Sequence, residues 1–243
     1  MKSYVIHLIR NMPCEGNLEG RYIGRTESPL AMGSIAQLAQ LKRQHPYPPA
    51  SRFFASPSTR CVDTLKILYP EADPEVVLEL AECDFGQWEN KTAKELQGDP
   101  RFCQWMEGGG QTAPPGGESS PVFVQRVCSG FEMLVKNLMA HSQNEPRQAT
   151  VTALLCTHAG VMTALLAAYG LPRAPFYDWM CEPGHGYSVR ITPSLWMRSG
   201  VMEVFATLPG GAGPEGPGHL VIDLAREAAQ RAYGDREEPE KKP

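Results

Sequence analysis

The hydrophobic positions of this chain fall into short apolar runs and longer helical stripes. Tyr4 to Ile9 is an apolar run rich in β-formers, followed at once by the polar pair Arg10-Asn11, and predicts a buried strand. Residues 12–30 show no clean period and contain Pro, Gly and Asn, which predicts a long loop. Ile35, Leu38 and Leu41 recur at helical spacing within 31–45. Arg52 to Ala55 reads as a second strand, and Ser56-Pro57-Ser58 as a helix start with Val62, Leu65 and Leu68 on its inner face. Val76 to Leu80 predicts a third strand, and residues 108–121 a Gly/Pro-rich loop. Pro121 to His141 reads as a long helix with Val124, Val127, Phe131, Leu134 and Leu138 on one stripe. Ala149 to Cys156 is nearly all apolar, as in the middle of a parallel sheet, and a helix over Gly160 to Tyr169 follows it. Gly186 to Ile191 and Val201 to Ala206 predict two strands joined by a turn. After a flexible loop at 209–218, Leu220 to Tyr233 reads as an amphipathic helix and 234–243 as a disordered tail.

Strands alternating with helices imply a three-layer α/β/α sandwich around a mostly parallel central sheet. The expected organisation is one domain over 1–233, with 80–121 as an inserted helical lobe. Such sheets bind ligands at the carboxyl ends of their strands. Three polar clusters fall there: Arg10, Ser56 to Arg60, and His158.

The formal net charge of -4 gives no bulk attraction for nucleic acid or a membrane, so an anionic ligand must be drawn by a local cluster of cations. The seven cysteines form no C-x-x-C pair, which points to reduced thiols, a cytoplasmic location and no structural zinc. The start MKSYVIHLIR is too short for a signal peptide, and no run of apolar residues is long enough to span a bilayer. There is no G-x-G-x-x-G after Ile9, no P-loop lysine and no metal-ligand spacing, so no cofactor and no metal are expected.

The polar clusters also carry a resemblance. LIRNMPCEGNLEGRYIGRTESPL resembles R-H-G-x-T-x-x-N followed by R-x-x-G-x-x-D-x-P-L, the signature of the histidine phosphatase superfamily (phosphoglycerate mutase-like). ASPSTRCVDT is similar to its S-S-P-x-x-R-x-x-Q-T, and CTHAGVMTALL to its second histidine motif. LAECDFGQWENKT and PPGGESSPVFVQRV resemble segments of the alpha-ribazole phosphatase-like branch. The resemblance implies a phosphomonoesterase acting through a phosphohistidine on a small phosphorylated metabolite. By position it makes Arg10, Asn17 and Arg60 phosphate-binding, Arg21 substrate-binding, Glu82 the proton donor and His158 the second catalytic histidine. Inorganic phosphate is then a product, and a homodimer is left open.

One departure changes the chemistry. The nucleophilic histidine of the family maps to Asn11, with Met12 for the following glycine and Cys14 for the usual threonine. An amide nitrogen is conjugated with its carbonyl and has no lone pair for phosphorus, although its NH₂ still donates hydrogen bonds. Turnover through a phosphohistidine is therefore expected to be impaired, whether Asn11 is an engineered trap or natural divergence. Two alternatives stay open: a sensor or partner-binding protein that holds a phosphoester uncleaved, and a repurposed enzyme with Glu82 and His158 as acid and base. His7 reads as structural and Cys14 as a buried inert thiol. Phe85, Trp88 and Trp105 line a substrate lobe or pack a core.

Overall fold

Residues 3–142, 150–210, 222–224 and 227 are described in a computed structural model of the chain. The first apolar run forms strand β1 (Ser3–Arg10), with Ile6, Leu8 and Ile9 fully buried. The loop after it contains one helical turn, α1 (Glu15–Leu18), and leads into α2 (Met32–Gln44). β2 (Arg52–Ala55), α3 (Thr59–Leu68) and β3 (Glu75–Val76) follow. The segment from Leu78 to Glu107 contains two 3-10 turns and the short helices α4 (Ala93–Leu96) and α5 (Pro100–Glu107). α6 (Ser120–His141), β4 (Thr150–Thr157) and α7 (Ala159–Tyr169) form the middle of the molecule. β5 (Gly170–Leu171), a 3-10 turn at Phe176–Trp179, β6 (Gly186–Ile191), α8 (Pro193–Ser199) and β7 (Met202–Leu208) complete it.

Among the described residues seven strands form one sheet in the order β3-β2-β4-β1-β6-β7-β5. β1, β2 and β3 join through β4 and β2 in parallel, while β6 runs antiparallel to both β1 and β7. Side chains alternate across the sheet, so each face has its own core. Ile6, Leu8, Val151, Ala153 and Leu155 meet Val127, Phe131 and Leu134 of α6 and Val161 and Leu165 of α7. Ile9, Leu154 and Cys156 meet Leu38 of α2 and Cys61, Leu65 and Leu68 of α3 on the other face. Burying each such aliphatic side chain contributes about 1.5–3 kcal/mol. The sheet therefore lies between two helix layers, a mostly parallel α/β sandwich.

Two elements differ from the sequence reading. Val76 to Leu80 is not one strand: pairing stops at Val76, and Leu78–Leu80 is a 3-10 turn. Leu78 is exposed while Leu80 is buried against α6, which a strand cannot do because residues two apart share a face. The link from β6 to β7 is helix α8 rather than a turn, with Pro193 preset in its first turn. Most of the helix expected over Leu220 to Tyr233, most of the 209–218 loop and the whole 234–243 tail lie outside the described residues. The aromatic residues of the 80–121 segment pack on one another. Trp88, Leu96 and Phe102 form a small separate core, and Tyr22, Phe85 and Trp105 close around it.

Candidate active site

Because β4 pairs in parallel with both β1 and β2, the carboxyl ends of these three strands lie side by side. Each hands over a polar segment there: Arg10-Asn11, Ser56 to Arg60, and Thr157-His158. They border a cavity of about 210 Å³ lined by Arg10, Asn11, Asn17, Arg60, Glu82 and His158, with Pro13, Ile23, Ala159 and Pro183 in its wall. A second cavity of about 420 Å³, lined in part by Arg25, Ser58 and Asp84, meets it at Glu82 and His158.

Arg60 is buried, at 2% exposure. Its guanidinium donates to the carbonyls of Gly24 at 2.8 Å, Thr26 at 3.2 Å and Ile23 at 3.4 Å. Arg10 donates to the carbonyl of Cys181. Neither arginine is ion-paired with a carboxylate among the described residues. Neutral carbonyls orient these groups without cancelling their charge, and a buried charge is costly until a counter-ion arrives. Two such forks at one cavity suit an anion with several oxygens in different directions.

The asparagines are oriented from within the protein. Asn17 Oδ1 accepts from the Cys14 backbone N–H at 3.3 Å and from the Cys14 thiol at 3.1 Å, so its NH₂ is the end available to a ligand. Cys14 is fully buried in this supporting place. Asn11 Nδ2 donates to the Met12 carbonyl at 2.8 Å, which turns Oδ1 toward His158, 3.2 Å from Nδ1. An amide oxygen only accepts, so Nδ1 of His158 carries a proton. Nε2 of the same ring lies 3.2 Å from Ser58 Oγ. The Cys61 sulfur sits beside the ring, 3.6 Å from Nδ1 and 3.5 Å from Nε2. Burial pushes this thiol up, but its hydrogen bond with Cys156 and the His158 imidazole pull harder, and the net direction is down.

Glu82 reaches the cavity from the segment after the 3-10 turn. Its carboxylate accepts from the N–H of Gly160 at 3.1 Å and of Cys83 at 2.9 Å, at the positive end of α7. A Cβ at position 160 would fall 2.5 Å from Glu82 Oε1, so glycine is what allows this approach. Arg126 of α6 holds the same segment by donating to the carbonyls of Glu79 at 2.6 Å, Ala81 at 3.0 Å and Glu82 at 3.3 Å, and it is ion-paired with Glu118.

Arg21 is not brought to the cavity. Its guanidinium is bound to Glu19 at 2.6 Å, the Asn90 carbonyl at 2.8 Å and Glu95 at 3.4 Å. His185 lines an adjoining groove against α2, with Nδ1 3.2 Å from the Pro183 carbonyl. His7 bonds Ser188 Oγ at 2.9 Å inside the sheet. Trp88, Phe85 and Trp105 do not line the arginine cavity.

Sequence reasoning does not assign the roles of three supporting groups. Glu89 accepts backbone N–H bonds from Gly24, Arg25, Thr26 and Phe85 at 2.9–3.1 Å, fixing the loop whose carbonyls hold Arg60. Burial raises its carboxyl, but these bonds outweigh that and hold it below the usual range. Arg126 is hidden in a helix stripe, although the acidic residue of PGGESS, eight positions earlier, is a signal for it. Ser58 has the look of a helix start and nothing more.

This constellation can bind a tetrahedral anion, orient an imidazole and present a carboxyl group beside it. Among the described residues no group of three or more His, Cys, Asp or Glu side chains is placed to hold a metal ion, and no helix is long and apolar enough to cross a membrane.

A family model described as histidine phosphatase superfamily (branch 1) matches residues 6–199. The chain is 27% identical over 206 residues to the adenosylcobalamin/alpha-ribazole phosphatase of Salmonella typhimurium, covering 83% of this chain and 92% of that protein. It is 24% identical over 206 residues to the protein of the same description from Escherichia coli, with the same coverage of 83% and 92%. In three dimensions it is similar to the alpha-ribazole phosphatase from Shigella flexneri, with a TM-score of 0.65 at 24% identity over 78% of this chain and 91% of that one. It is also similar to a phosphoglycerate mutase from Thermus thermophilus, with a TM-score of 0.57 at 29% identity over 84% and 98%.

Proposed function

The chain belongs to the histidine phosphatase superfamily (branch 1), and on that premise we propose that its cavity receives the phosphoryl group of a small phosphomonoester while Asn11 closes the phosphohistidine route. The observation that carries this reading is the pair of arginines at one cavity, one of them 2% exposed, both held by neutral carbonyls. In this reading Arg10 and Arg60 take the non-bridging oxygens, and the Asn17 NH₂ adds a donor. Glu82, when protonated, gives its proton to the leaving oxygen. His158 lies between the phosphate and the second cavity. Arg21 has no direct part, since Glu19 and Glu95 hold it. The 80–121 segment belongs to the same domain as a lobe beside the site, because it supplies Glu82 and Glu89. Relatives described as adenosylcobalamin/alpha-ribazole phosphatases make an alpha-ribazole phosphate the first organic substrate to try.

The test has two parts. Inorganic phosphate or vanadate is expected to raise the unfolding midpoint, a gain in unfolding free energy of about 2.7 kcal/mol at a hundred times its Kd. Arg60→Gln is expected to abolish that shift. Asn11→His is expected to raise hydrolysis of p-nitrophenyl phosphate by about 100-fold or more, since restoring a nucleophile reopens a route whose loss is worth far more than that. No anion stabilisation of the chain as it stands would overturn the reading. Stabilisation with an inert Asn11→His chain would favour a phosphoester sensor.

A further inference from the structure

Resting on the phosphomonoester reading above, we propose that Ser58 is the nucleophile of this chain, with His158 as its base and Asn11 as the group that orients the base. Three contacts carry the inference. Ser58 Oγ lies 3.2 Å from Nε2 of His158, and Nδ1 of the same ring lies 3.2 Å from Asn11 Oδ1. Asn11 cannot turn over freely, because its Nδ2 is bonded to the Met12 carbonyl at 2.8 Å. With the Nδ1 proton directed at Asn11 Oδ1, Nε2 is the ring nitrogen that faces the serine hydroxyl. A hydroxyl, an imidazole and an orienting polar group in line is the arrangement that activates a serine, and asparagine serves as the third member elsewhere. The change that removes one nucleophile therefore completes the support for another.

The conformation of Ser58 is a second, independent observation. It occupies the N-cap of α3, where a serine side chain ordinarily accepts from the first turn of the helix. Here it makes no capping bond. The N–H of Cys61, which a capping side chain could take, is bonded by the Ser58 backbone carbonyl at 3.1 Å, and Glu27 from another segment accepts from the Thr59 N–H at 3.1 Å. The hydroxyl faces His158 instead. Ser58 lines the second cavity beside Glu82 and His158, the two residues shared with the arginine cavity. The neighbouring Cys61 has no exposed surface and lines neither cavity, so it is not placed to reach phosphorus.

The step balances. Ser58 Oγ forms a bond to phosphorus as the ester oxygen leaves. The serine proton passes to His158 Nε2, and the leaving oxygen takes the proton of Glu82. Water then attacks the phosphoserine, giving one proton to the Glu82 carboxylate, while His158 returns its proton to Ser58 Oγ. The sum is a phosphomonoester and water going to an alcohol and inorganic phosphate, with both side chains restored.

The experiment uses the full chain, Ser58→Ala and Ser58→Thr, with p-nitrophenyl phosphate as substrate. The chain as it stands is expected to turn the ester over and, after acid quench, to carry one phosphoryl group on the peptide containing Ser58. Ser58→Ala is expected to lose turnover about 100-fold or more and to lose the adduct, with the midpoint shift given by inorganic phosphate retained. Ser58→Thr keeps a hydroxyl and should keep part of both signals. Turnover unchanged in Ser58→Ala, or an adduct elsewhere, overturns the proposal. So does vanadate stabilisation with neither turnover nor adduct in the unaltered chain, which leaves the anion site standing. Absence of vanadate stabilisation in every chain removes the phosphomonoester reading and this proposal together.

Discussion

At position 160 a hydrogen atom in place of a methyl group decides whether Glu82 can reach the cavity. A Cβ there would lie 2.5 Å from one carboxylate oxygen and 3.2 Å from the other. Gly160→Ala is therefore expected to push the Glu82 carboxylate aside with little net loss of stability in urea unfolding, because the carboxylate ends a flexible side chain and alanine gains about 0.5–1 kcal/mol over glycine in a helix. In the Asn11→His background it should also lower ester hydrolysis by about tenfold or more, because the acid loses its position. A Gly160→Ala chain with an unaltered rate would mean that the carboxylate works from another place. At this scale the groups in the cavity are set by their neighbours: Asn17 by Cys14, His158 by Asn11, Arg60 by three carbonyls.

Between elements, Glu89 is the fastening that matters most to the cavity. Each of its oxygens accepts two backbone N–H groups, Oε1 from Arg25 and Phe85, Oε2 from Gly24 and Thr26. Glu89→Gln keeps the shape but turns an NH₂ toward two donors. It is expected to cost about 2 kcal/mol. The loop it releases supplies the Gly24 and Thr26 carbonyls that seat Arg60, so the midpoint shift given by phosphate should shrink as well. Loss of stability with an undiminished phosphate shift would show that Arg60 is held without the loop. Arg126 does the corresponding work for the segment bearing Glu82, from α6.

For the molecule as a whole, the sheet sets a limit on acid stability. His7 lies on β1 between β4 and β6, and burial lowers its pKa to about 4 from 6.5. The unfolded chain takes up this proton near pH 6.5, whereas the folded chain refuses it until about 4. Stability therefore falls as pH is lowered through that window, by up to about 3 kcal/mol, and this residue adds no slope above it. Urea midpoints compared between neutral pH and the lower end of the window should show the loss. His7→Gln should flatten it, and an equal slope in that variant would assign the acid limb to other groups.

The sequence by itself determined the elements whose apolar period is strong. β1, β4, α6 and α7 lie where their runs and stripes put them, because burial on both faces of a sheet or along one helix face leaves a local imprint. It also determined that Arg10, Arg60 and His158 follow strand ends, and a parallel sheet brings such ends to one edge. The short pieces were illegible: Val76 to Leu80 has the composition of a strand, and only the burial of Leu80 beneath α6 turns it into a 3-10 turn. Nothing local distinguishes Arg21, held outside by Glu19 and Glu95, from Arg60, held inside by carbonyls. Ser58 likewise reads as an ordinary cap until its hydroxyl is seen beside Nε2 of His158. Hydrophobic period is a property of neighbours in the chain. The partner that a polar side chain finds depends on residues brought beside it by strand pairing and crossovers, and that was decided only in three dimensions.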